Sequence, residues 1–332
     1  MSSVATQPSA EGEVYLKACL APFENALRRP DVTDIYVNRP GEIWIETLGG
    51  ELLRHEDPSI SELTLGRLAR QIAALTHQGI SREHPLLGAT LADGSRIQIV
   101  APPATRGPLA MAIRKQVAAS LTLQDYAAGG QFSNTATDAS IRPHDERLRQ
   151  LIAARQFGEA LSLAVQTRKN IIVSGGTSTG KTTFLNALLR EVPAAERLIL
   201  IEDTPELAVG HENMVGMVSV RGELGEARVT ANDLVSAALR MRPDRIILGE
   251  LRGPEAFSFL RAVNSGHPGS MTTIHADSAE SAVEQLAMLV LEGGTRLGRA
   301  DVQHYARQSI DLFVQLNRAG GKRIVEAIQF SI

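Results

Sequence analysis

The chain contains the run Gly175-Gly176-Thr177-Ser178-Thr179-Gly180-Lys181-Thr182-Thr183, which has the spacing G-x-x-x-x-G-K-[ST]. Each residue type in it suits a polyphosphate ligand. Glycines let the backbone turn tightly, so that successive N–H groups face one anion. Lys181 can reach the β- and γ-phosphates, and the Thr182 hydroxyl can ligate Mg²⁺. Residues 175–183 are therefore expected to bind nucleotide, with ATP and Mg²⁺ as cofactors. The flanks agree. Residues 170–174 (Asn-Ile-Ile-Val-Ser) read as a buried strand, and residues 184–189 (Phe-Leu-Asn-Ala-Leu-Leu) as the start of a helix. The N-terminus of such a helix favours negative charge.

Three later segments place polar chemistry at the ends of apolar runs. Leu198-Ile199-Leu200-Ile201 leads into Glu202, Asp203 and Glu206. Beside a triphosphate, Glu202 is expected to hold Mg²⁺ through water or to position a nucleophilic water, with Glu206 in the same acidic loop. Ile246-Ile247-Leu248-Gly249 leads into Glu250, which resembles the second acidic motif of P-loop ATPases and is the candidate to orient the attacking water. His267 and His275 flank the short apolar run at 271–274. A histidine at a strand end can contact a γ-phosphate and report its loss. No third or fourth ligand stands at metal spacing, so zinc is not expected. Phosphoryl transfer also calls for a further cation on the γ-phosphate. Arg96 and Arg114, at the start and end of two predicted strands, are candidates, although their surroundings alone do not set them apart from surface arginines.

These groups need elements to carry them. Residues 65–75 place Leu65, Leu68, Ile72 and Leu75 at helical spacing. Residues 34–38 and 42–46 alternate around the turn Arg39-Pro40-Gly41 and predict a hairpin, and strands follow at 96–100 and 110–114. This block, residues 13–126, reads as an α+β domain behind a disordered tail at 1–12. The small, polar, glycine-bearing stretch that opens residues 127–145 reads as a linker. Residues 146–332 alternate strand and helix, which predicts a mostly parallel sheet with helices packed on it. Thr230 with Asp233, and Asp277 with Glu280, have the form of capping boxes for two of those helices.

Composition narrows the possibilities. With 332 residues, two domains are the natural expectation. The single cysteine, Cys19, rules out an internal disulfide framework, suits a reducing cytosol, and falls on an apolar helical stripe with Leu16, Leu20, Phe23 and Leu27. A formal net charge of −3 gives no strong direct DNA-binding signal. No apolar run approaches the ~20 residues that span a bilayer, and the N-terminal ten residues lack the basic flank and apolar region of a signal peptide.

Taken together, the motifs resemble one known group. Val37-Asn38-Arg39-Pro40-Gly41-Glu42-Ile43-Trp44, Gly94-Ser95-Arg96-Ile97-Gln98 with Pro102-Pro103, and Ile113-Arg114-Lys115 carry the resemblance in the first part. The phosphate loop, the 202–206 acidic box, Arg242-Pro243-Asp244-Arg245 running into Glu250, and Gly266-His267-Pro268-Gly269 running into His275 carry it in the second. The chain is similar to the hexameric traffic ATPases of bacterial type IV secretion and conjugation systems, in the secretion ATPase superfamily. That resemblance implies a RecA-like P-loop ATPase domain preceded by a smaller α+β domain, nucleotide between the two, and a homo-hexameric ring. It implies Arg96 and Arg114 facing the phosphates, Glu202 and Glu206 in the acidic box, Glu250 in the second acidic motif, and His267 and His275 in the histidine box. It also implies a place on the cytoplasmic face of the inner membrane, beside other secretion components that export protein or DNA. The long linker after Tyr126 leaves open whether the two domains pair within or between subunits. The alternatives are a pilus assembly or retraction motor, a type II secretion ATPase, and a nucleotide-bound scaffold with negligible hydrolysis.

Overall fold

The computed structural model describes residues 10–117, 122–133, 135, 144–220 and 225–331. Two sheets organise it. The first is antiparallel, with strand order β3-β2-β1-β6-β5-β4: β1 (Val32–Val37), β2 (Glu42–Thr47), β3 (Leu52–Glu56), β4 (Leu86–Thr90), β5 (Arg96–Val100) and β6 (Ala110–Arg114). Helices α1 (Ala10–Leu20), α2 (Glu24–Arg28) and α3 (Glu62–Leu75) belong to the same unit. The predicted periodicity holds: Leu65, Leu68 and Ile72 of α3 are buried against Phe23, Ile35, Ile97 and Ile99. Cys19 packs half-buried against the same cluster. Helix α1 begins within the stretch expected to be a tail, while residues 1–9 lie outside the described residues.

The second sheet has the order β13-β12-β7-β11-β10-β8-β9. It comprises β7 (Ile171–Gly175), β8 (Leu198–Glu202), β9 (Met214–Val218), β10 (Arg245–Leu248), β11 (Met271–Ile274), β12 (Leu312–Ala319) and β13 (Lys322–Phe330). All neighbours are parallel except the hairpin β12–β13. The apolar runs Ile-Ile-Val, Leu-Ile-Leu-Ile and Ile-Ile-Leu in β7, β8 and β10 follow from burial on both faces. After α4 (Leu123–Ala128), this unit adds α5 (Asp145–Ala153), α6 (Phe157–Gln166), α7 (Lys181–Leu189), α8 (Ala231–Ala238), α9 (Glu255–Asn264), α10 (Ala279–Glu292) and α11 (Arg299–Ser309). Of the stretch expected as a linker, residues 134 and 136–143 lie outside the described residues, while its two ends are helical, in α4 and at the start of α5.

Several elements depart from the sequence expectation. Strands β3, β4 and β9 and helices α4, α9 and α11 lie outside the sequence expectation. β3 is an exposed edge strand and α11 buries only Val302, Ala306 and Ser309, so neither shows a strong apolar period. The Thr230–Asp233 capping box is present on α8. On α10 the cap is Ser278 rather than Asp277: the Ser278 hydroxyl accepts from the Ser281 N–H at 3.0 Å.

The two units share a core. Tyr36, Trp44 and Ala104 from the first are buried with Ile201, Met217, Leu234 and Met241 from the second. Arg197, fully buried at the start of β8, stacks over the Tyr36 ring at 4.3 Å and donates to the Met241 carbonyl and the Asn213 side chain. Burial pulls its guanidinium down to about 10. The loop between β5 and β6 lies along the outer edge of β9, where Arg106 N–H donates to Gly216 O at 2.9 Å and Val218 N–H to Ala104 O at 2.9 Å. That pairing covers an edge which would otherwise present unpaired backbone groups.

Candidate functional site

β7 runs fully buried into Gly175, and α7 starts at Lys181. The turn between them needs two residues of positive φ, Ser178 at 61° and Gly180 at 92°. At Gly180, the cap residue of α7, glycine avoids the Cβ strain of that conformation. The Thr179 hydroxyl closes the loop by donating to Gly176 O at 2.9 Å. Lys181 Nζ donates to the carbonyls of Gly175 at 2.9 Å and Gly176 at 3.1 Å. Partial burial pulls its ammonium below the ordinary lysine range, while Glu250 opposes that pull. A half-buried ammonium resting on carbonyls, above a helix N-terminus, fits an incoming polyphosphate, which supplies the missing countercharge.

Residues 177–183, with Glu202, Glu206, Glu250, Arg252 and His275, line one cleft of about 510 Å³. Its centre is a continuous chain of polar side chains. Lys181 Nζ lies 3.5 Å from the His275 ring nitrogens, and His275 Nε2 lies 2.7 Å from Glu250 Oε1. Glu250 Oε2 accepts from Arg252, and Arg252 also donates to Asp203 at 2.9 Å. The Glu255 carboxylate accepts the backbone N–H groups of Arg252 and Gly253, which fixes the turn that presents Arg252. The sheet explains the convergence: β7, β11, β10 and β8 are parallel, so their C-terminal ends deliver the phosphate loop, His275, Glu250 and Glu202 to one edge.

Glu202 is used differently from the expectation. It is 5% exposed; Oε1 accepts the N–H groups of Glu206 and Leu207, each at 2.8 Å, and Oε2 pairs with Arg106. Both oxygens are thus engaged within the fold, a structural role that the sequence reading of a water-mediated Mg²⁺ contact did not include. Its carboxylate instead holds the 202–207 loop, while Glu206 and Thr182 remain on the cleft wall. Arg106 reaches it from the first unit by crossing β9 at Gly216, where a Cβ would stand 2.5 Å from Arg106 Cδ. Arg106 also donates to Leu207 O at 2.7 Å.

His267 is not brought to the cleft. It precedes β11 whereas His275 follows it, so the strand carries them to opposite edges of the sheet. The His267 ring instead contacts Ala262 O at 3.0 Å, near the end of α9. Arg96 and Arg114 pair directly across β5 and β6 and line a separate cavity with Arg240 and Arg242. Within one chain they do not join the phosphate loop. Sequence reasoning passed over Arg106, Arg252 and Arg323. Arg252 had a signal, two residues beyond Glu250 in a strand-end motif. Arg106 and Arg323 had none, because Arg106 reaches Glu202, and Arg323 the cleft, from elements remote in sequence.

Comparison with known proteins agrees with this geometry. Residues 146–316 match the family described as type II/IV secretion system protein. The chain is 40% identical over 326 residues to the type IV secretion system protein VirB11 of Bartonella henselae, covering 94% of this chain and 91% of the relative. It is 36% identical over 329 residues to a PtlH homologue of Bordetella bronchiseptica, covering 97% and 95%. It superposes on the crystal structure of the VirB11 ATPase from the Brucella suis type IV secretion system, in complex with sulphate, with a TM-score of 0.90 at 35% identity, covering 96% and 95%. These relatives favour the type IV branch over a pilus or type II motor, and the ATPase family over a scaffold without hydrolysis. Among the described residues no helix is long and apolar enough to cross a membrane. The chain therefore belongs to the type II/IV secretion system protein family and, within it, to the VirB11 ATPases of type IV secretion systems.

Proposed function

We propose that this ATPase binds ATP with Mg²⁺ in the cleft around Lys181 and works as a ring of six copies on the cytoplasmic face of the inner membrane. There it powers assembly of a type IV secretion system, or transfer of protein or DNA through it. The observation that carries the reading is the chain Lys181, His275, Glu250, Arg252, which ties the phosphate loop to the acid at the end of β10. The loop N–H groups, Lys181 and the α7 N-terminus bind and orient the phosphates. Thr182, on the cleft wall, would hold Mg²⁺, which when bound would neutralise charge on the phosphates. Glu250, held from both sides by His275 and Arg252, orients the attacking water. Glu206 borders the same space, and Glu202 keeps the acidic loop in place.

Arg96 and Arg114 support the ring. They do not reach the phosphate loop of their own chain. A ring of copies would let them serve the cleft of a neighbour, completing the positive charge around the γ-phosphate. Subunit mixing tests this. Lys181→Ala chains and Arg96→Ala/Arg114→Ala chains, each inactive alone, regain ATP hydrolysis when co-assembled if the arginines act between copies. Their failure to complement in verified mixed rings refutes it. The charge balance gives no direct grip on DNA, so cargo is handled through partner proteins.

A further inference from the structure

We propose that Arg323 is a nucleotide-binding residue, a cation that grips the triphosphate on the side of the phosphate loop away from the carboxylates. The inference rests on reading the cleft around Lys181 as the ATP site. The sheet order sets the geometry. β11, β10 and β8 lie on one side of β7 and bring His275, Glu250 and Glu202; β12 and β13 lie on the other. Arg323, the second residue of β13, stands opposite Arg318 across the hairpin and lines the same cleft.

Three observations single it out. It lies over the loop: a Cβ on Gly180 would stand 3.0 Å from Arg323 Cδ, 3.4 Å from Nε and 3.6 Å from Nη1. Gly180 is the cap residue of α7, where the free N–H groups of the helix begin. Next, the other cations on the cleft wall are engaged. Arg252 is bound to Glu250 and Asp203, and Lys181 to the loop carbonyls. The Arg323 side chain forms no hydrogen bond or ion pair among the described residues. Last, the cleft carboxylates Glu202, Asp203, Glu206 and Glu250 all come from β8 and β10 and the segments that follow them. No carboxylate lining the cleft comes from β13, so the phosphates of a ligand would be the countercharge of Arg323 there. A guanidinium offers a planar pair of donors to phosphate oxygens.

Its position assigns the phosphate. The γ-phosphate belongs with Lys181, His275 and Glu250, so Arg323 faces the end nearer the nucleoside, the α-phosphate shared by ATP and ADP. Such a contact is equal in ground and transition states and affects binding rather than turnover. The test is calorimetric titration of the assembled protein with ADP, and of the Glu250→Gln protein with ATP, beside steady-state hydrolysis. Arg323→Ala should weaken ADP and ATP by a similar factor of about 10, raise KM to match and leave kcat within about twofold. Arg323→Lys should recover part of the affinity. Because the side chain is exposed and unpartnered, the melting temperature without nucleotide should stay at the parent value. Unchanged affinity, or a fall in kcat with affinity intact, overturns the assignment. Lys181→Ala separates the two layers. If it still binds ADP, the cleft reading falls. If it loses ADP while Arg323→Ala binds like the parent, only the role of Arg323 falls.

Discussion

Arg106 and Glu202 form an ion pair that joins the first unit to the acidic loop of the second, with Glu202 almost wholly buried and Arg106 one-fifth exposed. Gly216 is what lets the arginine pass, because its missing side chain leaves the space that Arg106 occupies over β9. Burial pulls the Arg106 guanidinium below its ordinary value, and the Glu202 carboxylate is the countercharge beside it. That one side chain therefore ties the first unit directly to residues 202–207.

Arg106→Ala should leave a buried, unpaired Glu202 and lower stability by about 3 kcal/mol, the usual result of removing one partner of a buried pair. Adding Glu202→Gln should recover much of that loss, since the remaining group is then neutral. Gly216→Ala should reproduce part of the defect by displacing the arginine. Chemical denaturation of these three variants, the Glu202→Gln single variant and the parent checks all three outcomes; additive losses in the Arg106/Glu202 cycle would show that the pair does not couple.

Lys181→Ala should abolish nucleotide binding, whereas Glu250→Gln should bind ATP and lose turnover by about 100-fold or more. Parallel binding titrations and phosphate-release assays decide this. Turnover by Glu250→Gln at the parent rate would remove Glu250 from the water-orienting role.

The two histidines should separate cleanly. His275→Ala breaks the link between Lys181 and Glu250 and should cut kcat about 10-fold or more. His267→Ala should keep kcat within about twofold and cost about 1 kcal/mol of stability, the value of one hydrogen bond near the end of α9. Equal kinetic damage from both would contradict their placement at opposite ends of β11.

Asp34 is 4% exposed, and burial pushes its carboxyl above the ordinary aspartate range; Arg114 and Arg242 oppose the rise and Glu46 adds to it. The folded protein thus binds this proton more tightly than the unfolded chain. The stability gained from that proton is fully present below the unfolded aspartate value, about 3.9, and is lost as pH rises through the folded one. Asp34→Asn should melt above the parent at pH 7.5, with the gap closing as the pH is brought towards 4. A gap that widens on acidification would mean that the charged form is favoured.

The sequence by itself determined the strands and helices whose periods are strong, and the phosphate loop whose function depends on consecutive backbone groups. The positions of Lys181, Thr182 and Glu250 in the fold were legible because local spacing places each just after an apolar strand or at the start of a helix. Only the tertiary structure decided which strand ends meet. Parallel strands gathered His275 with Glu250 and carried His267 to the far edge, although both stand in one short segment. The occupation of Glu202 by Arg106, and the arrival of Arg323 over Gly180, depend on a loop and a hairpin that approach from either side of the sheet. Sequence spacing encodes contacts within a turn or a strand, whereas contacts across the sheet are set by strand order, which local pattern does not contain.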